Sequence, residues 1–90
     1  MNKSLTIKIP LSIAQQMDDN GQLNPMWITS FIEDYLPTAS LLDKPLQELT
    51  FNYSFKIDKT AHKAIKLKSL ECDLPMNEML GRILAENYHG

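Results

Sequence analysis

Two short stretches decide the reading of this chain: Ser4-Leu5-Thr6-Ile7-Lys8-Ile9 and Asn52-Tyr53-Ser54-Phe55-Lys56-Ile57. They superpose at an offset of 48 residues, and both run polar, apolar, polar, apolar, Lys, Ile. Alternation with a period of two marks a β-strand with one face toward a core and the other toward water. Leu5, Ile7 and Ile9 then share the dry face of the first strand, with Ser4, Thr6 and Lys8 on the wet face. Tyr53, Phe55 and Ile57 repeat the dry face in the second, opposite Asn52, Ser54 and Lys56. A strand this short cannot satisfy its own backbone. The chain carries two, so the least costly arrangement pairs them antiparallel into a ribbon.

The flanks of the two strands are also alike. Pro10 and the spacing of Ser12 and Gln15 predict a capped helix over roughly residues 11–19, stopped by Asn20-Gly21. After the second strand, Asp58 is a good N-cap for a helix through Leu70. Ala61, Ala64, Ile65, Leu67 and Leu70 would form its apolar stripe, and Lys63, Lys66 and Lys68 a solvated face. Each half closes with a second helix announced by proline. Asn24-Pro25 precedes Met26 to Leu36, and Leu74-Pro75-Met76-Asn77-Glu78 opens Met79 to Tyr88. Aligning Ile28, Phe31, Ile32 and Leu36 with Leu80, Ile83, Leu84 and Tyr88 needs an offset of 52, so the first half lacks about one helical turn.

The order strand, helix, helix therefore occurs twice, in residues 1–36 and 50–90, with 37–49 as a linker bracketed by Pro37 and Pro45. At up to roughly 3.3 Å per residue the linker reaches about 40 Å, enough to return the chain for pairing of the two strands within one molecule. The expected fold class is α+β and mainly helical: two strand-helix-helix repeats forming a two-stranded antiparallel ribbon on four helices, together one pseudo-dimeric domain.

Ninety residues, 43% hydrophobic and 22% charged, suit a single small globular domain and exclude two large ones. No apolar run approaches the roughly 20 residues of a membrane span, and no signal-peptide core follows Met1, so a cytoplasmic protein is expected. One cysteine, Cys72, and two histidines give neither an internal disulfide nor zinc-ligand spacing, so no metal or cofactor is expected. The net charge of −2 hides an uneven distribution: residues 1–48 hold three Lys against six acids, and residues 49–90 hold five Lys and one Arg against five acids. A locally basic segment can still meet a polyanion. No nucleophile-base set, carboxylate pair or phosphate-cradling glycine loop is visible, so no enzymatic activity is expected. Trp27, Phe31, Tyr35, Phe51, Tyr53 and Phe55 fall at core spacing and predict packing rather than base stacking.

The succession Tyr53-Ser54-Phe55-Lys56-Ile57, Ala61 to Leu70 and Leu74-Pro75-Met76-Asn77-Glu78-Met79-Leu80 resembles the ribbon-helix-helix proteins of the MetJ and Arc superfamily. The resemblance covers nearly the whole chain apart from the linker, and two copies in one chain look like the tandem arrangement of TraY-type conjugation proteins. It implies that the ribbon enters the DNA major groove and reads base edges with Ser4, Thr6, Lys8, Asn52, Ser54 and Lys56. It also implies that the N-terminal backbone of each second helix grips phosphate, at Pro25, Met26 and Trp27 and at Pro75, Met76 and Asn77. The function so implied is a sequence-specific regulator of double-stranded DNA, of repressor or autorepressor type. The alternatives are an antitoxin-like module that binds a partner protein such as a toxin, or a conjugative or architectural DNA-binding accessory protein. No membrane partner is expected, and higher oligomers on DNA are compatible with this reading.

Overall fold

The computed structural model describes residues 2–38, 46 and 49–89. These residues form an α+β fold of four α-helices and a two-stranded antiparallel sheet. β1 (Asn2–Pro10) leads into α1 (Leu11–Asp19) and α2 (Pro25–Tyr35), which ends in a 3₁₀ turn over Leu36–Thr38. β2 (Thr50–Asp58), α3 (Lys59–Cys72) and α4 (Met76–Asn87) follow. Most of the proposed linker, residues 39–45, 47 and 48, lies outside the described residues.

β1 and β2 pair within the chain over nine residues each, longer than the six of the alternating motifs. The register sets Leu5 beside Phe55, Thr6 beside Ser54 and Ile7 beside Tyr53. It puts the alternating apolar residues on one face: Leu5, Ile7, Ile9, Phe55 and Ile57 are buried, and Tyr53 is half-buried. Phe51 departs from expectation. It lies near the start of β2, where it lines an open cleft with Leu11, Ala14, Gln15 and Asp18 of α1, and stays 40% exposed.

The helices close this face into one core. α4 contributes Met79, Leu80, Ile83 and Leu84, α2 Ile28, Phe31 and Ile32, α1 Ala14 and Met17, and α3 Ile65. Burying each large apolar side chain contributes roughly 1.5–3 kcal/mol, and both halves of the chain share the same cluster. α4 belongs to the second half yet lies directly on β1: a Cβ at buried Gly81 would run into the carbonyl oxygen of Lys8. Glycine is what allows the helix to approach the strand so closely.

Helix boundaries follow local chemistry. Asp58 caps α3 by accepting from the Thr60 N–H at 3.0 Å, and Asn24 caps α2 by accepting from the Trp27 N–H at 2.8 Å, with Pro25 as its first residue. α1 and α3 end alike. Gly21 (φ 69°) and Asp73 (φ 57°) take the left-handed conformation. The next residues, Gln22 and Leu74, donate to the carbonyls of Met17 and Ser69, closing paired Schellman bonds.

Two local expectations are corrected. Ser12 is not the N-cap of α1: the chain passes straight from β1 into the helix through Pro10, which occupies the N-cap position without a side-chain cap and leaves Ser12 inside the first turn. Pro75 is likewise the N-cap of α4. The stripe on α3 is rotated from the expected one. Ile65 and Ser69 face the core, with Ser69 Oγ donating to the Lys66 carbonyl at 2.7 Å, whereas Leu67 and Leu70 are 55% and 69% exposed.

Candidate nucleic-acid interface

The face of the ribbon opposite the core is formed by every second residue of both strands. In cross-strand order it presents Asn2 with Asp58, Ser4 with Lys56, Thr6 with Ser54, Lys8 with Asn52, and Pro10 with Thr50. All six residues expected to face outward are therefore gathered on one surface. Ser4, Asn52, Ser54 and Lys56 are exposed, and Thr6 and Lys8 are partly so. Thr6 Oγ1 and Ser54 Oγ lie 2.9 Å apart, joined by a hydrogen bond at the middle of the face. Lys8 and Lys56 flank this pair, two positions away on opposite sides. At about 3.4 Å per residue their Cα atoms are about 14 Å apart along the ribbon.

Among these six positions there is no acid, so the surface is cationic although the chain is anionic overall. The nearest acid on this face, Asp58, is at the end of β2, where its carboxylate is engaged with the Thr60 N–H. Lys3 is also exposed, in β1 beside Ile57, and Asn2 extends the polar face by one pair. The alternating motif began at Ser4 and gave no sign of either.

The two proposed phosphate sites differ. Ser4, Leu5 and Thr6 share a shallow cleft of about 240 Å³ with Met76 and Asn77, so the start of α4 lies against the ribbon. α4 has no side-chain cap, and Pro75 precedes its first turn, so the open amides of that turn carry the positive end of the helix dipole. Glu78 in the same turn offsets part of that potential and is itself drawn to Arg82, with Oε1 3.3 Å from Nη2. At α2 the Trp27 amide is already taken by Asn24. The indole stacks on Phe31 at 5.2 Å and meets Tyr88 edge-on at 5.9 Å. Pro25 is exposed, and Met26 is 82% exposed, unlike the buried Met17 and Met79.

Elsewhere, the lysines of α3 divide: Lys63 and Lys66 are exposed, and half-buried Lys68 lies 4.0 Å from Glu71. A concavity of about 290 Å³ between α2 and α3 is lined largely by apolar side chains, including Ile32, Leu36, Ile57 and Ile65. Among the described residues no group of three His, Cys, Asp or Glu is placed to hold a metal, and no helix is long and apolar enough to cross a membrane. No family model, curated protein or solved structure matches the chain.

Proposed function

We propose that this chain is a fused, pseudo-dimeric ribbon-helix-helix unit that inserts its ribbon into the major groove of double-stranded DNA as a repressor-type transcriptional regulator. The repeat and the pairing support each other. Residues 4–9 of β1 have their sequence equivalents 48 positions later, and each pairs with the residue whose number makes the sum 60. The two relations coincide at Thr6 and Ser54, so the two-fold relation implied by this reading passes through that hydrogen-bonded pair and exchanges Lys8 with Lys56. The missing turn falls in the first helix of the first half: α1 has 9 residues and α3 has 14. The matched left-handed stops Gly21 and Asp73 already stand at the later offset of 52.

The observation that carries the function is the outer face itself. It is polar and cationic, held on a rigid two-stranded ribbon, with the uncapped start of α4 at its edge. A major groove about 12 Å wide admits such a ribbon, Lys suits guanine O6 and N7, and Asn suits adenine. Amides at a helix start suit phosphate. Retention on duplex DNA at moderate salt and release at high salt tests the reading. Lys8→Ala and Lys56→Ala should each weaken binding while leaving the melting temperature in place, since neither side chain enters the core. Equal binding by both variants and the parent rejects the ribbon as the reading surface.

A second reading, a module that binds a partner protein, is favoured by the exposed Leu67 and Leu70 on α3 and the apolar concavity beside it. Copurification of a defined partner, lost in Leu67→Ser, would support it. A conjugative or architectural accessory role shares the same DNA surface and is separated from a repressor by whether the bound duplex is bent.

A further inference from the structure

The two ends of the ribbon's outer face are not chemically equal, and within two positions of its centre the difference reduces to one exchange. Rotation about the Thr6–Ser54 pair exchanges Lys8 with Lys56, which match, and Ser4 with Asn52, which do not. The remaining outward positions contribute little discrimination. Thr6 and Ser54 are bonded to each other, Asp58 is held as the cap of α3, and its counterpart Pro10 is buried and has no donor. Asn2 and its counterpart Thr50 also differ, but both are in the outermost pairs, about 14 Å from the centre of the ribbon, against about 7 Å for Ser4 and Asn52. A carboxamide offers an acceptor and a donor side by side, matching N7 and N6 of adenine, whereas a hydroxyl bonds either kind of partner and selects weakly.

From this we infer that the target is an imperfect inverted repeat. Its two halves share a guanine, facing Lys8 in one and Lys56 in the other, and only the half facing Asn52 requires adenine. The inference rests on the ribbon reading above and adds the identity of the asymmetric position. Ser4 and Asn52 are both exposed and neither packs in the core, so exchanging their identities leaves the fold intact.

The test is selection of bound duplexes from a library with a randomised centre. It uses the full chain and the variants Ser4→Asn and Asn52→Ser, each first shown to melt as the parent does. The parent should enrich an inverted repeat with adenine in one half, Ser4→Asn the same repeat with adenine in both, and Asn52→Ser neither adenine. Replacing the single adenine should weaken parent binding roughly 5- to 150-fold and leave Asn52→Ser unaffected. A perfect inverted repeat selected by the parent, or the same asymmetric site selected by all three proteins, overturns the inference while leaving DNA recognition standing. Failure of the parent to enrich any duplex overturns both.

Discussion

Gly81→Ala offers a sharp test of how α4 sits on the ribbon, because the ordinary expectation and the structural one have opposite signs. Alanine in place of glycine inside a helix normally gains about 1 kcal/mol. Here the added Cβ would overlap the Lys8 carbonyl oxygen and approach Leu46 Cδ1 to 3.2 Å. The leucine tip can turn aside. The carbonyl belongs to the ribbon backbone, so α4 must lift from β1. Overpacking of this kind costs about 1–3 kcal/mol, and a backbone obstacle puts it at the upper end, leaving a net loss of about 2 kcal/mol. At a urea slope of about 1.5 kcal/mol/M the unfolding midpoint falls by about 1.3 M. Ala85→Gly, at an exposed position of the same helix, calibrates the intrinsic term and should lose about 1 kcal/mol. A Gly81→Ala protein more stable than the parent would refute the close crossing of α4 over β1.

Other outcomes follow from the same packing. Phe55→Ala should lose about 3–5 kcal/mol, a large part of a small domain's stability, and an unchanged melting temperature would overturn the strand register. Leu67→Ser with Leu70→Ser should change monomer stability by no more than about 0.5 kcal/mol per site, because both side chains face solvent; a core-sized loss in urea titration would restore the stripe expected from sequence. The melting temperature of the intact chain should not change with concentration, because β1 and β2 pair within one molecule; a rise with concentration would mean that strands pair between molecules.

The strands were legible because period-two alternation requires only a dry and a wet face. The caps at Asp58 and Asn24 were legible because each is a side chain bonding a backbone amide two or three residues away. α3 was misread for a reason sequence does not carry. Its composition offers Leu67 and Leu70 on one side and Ala61, Ile65, Ser69 and Cys72 on another, and the second set faces the core because small side chains let the helix lie close to the sheet. The outward residues of the site were visible as the wet half of the alternation. Their grouping with Met76 and Asn77 depends on α4 crossing to β1, a long-range contact that no local motif announces. The unequal helix starts were hidden in the same way. Both are marked by proline, but only α2 has a side chain, Asn24, placed to occupy an amide.

The measurement that bears most directly on the central claim is a titration of isotopically labelled protein with a mixed-sequence duplex at low salt, followed through the backbone amides. The account predicts that the largest shifts cluster at Ser4, Thr6, Lys8, Asn52, Ser54 and Lys56, with a second group at Asn77 in the first turn of α4, and that added salt reverses them. Shifts confined to the exposed lysines of α3, or no shifts at concentrations where duplex binding is saturated, would contradict it.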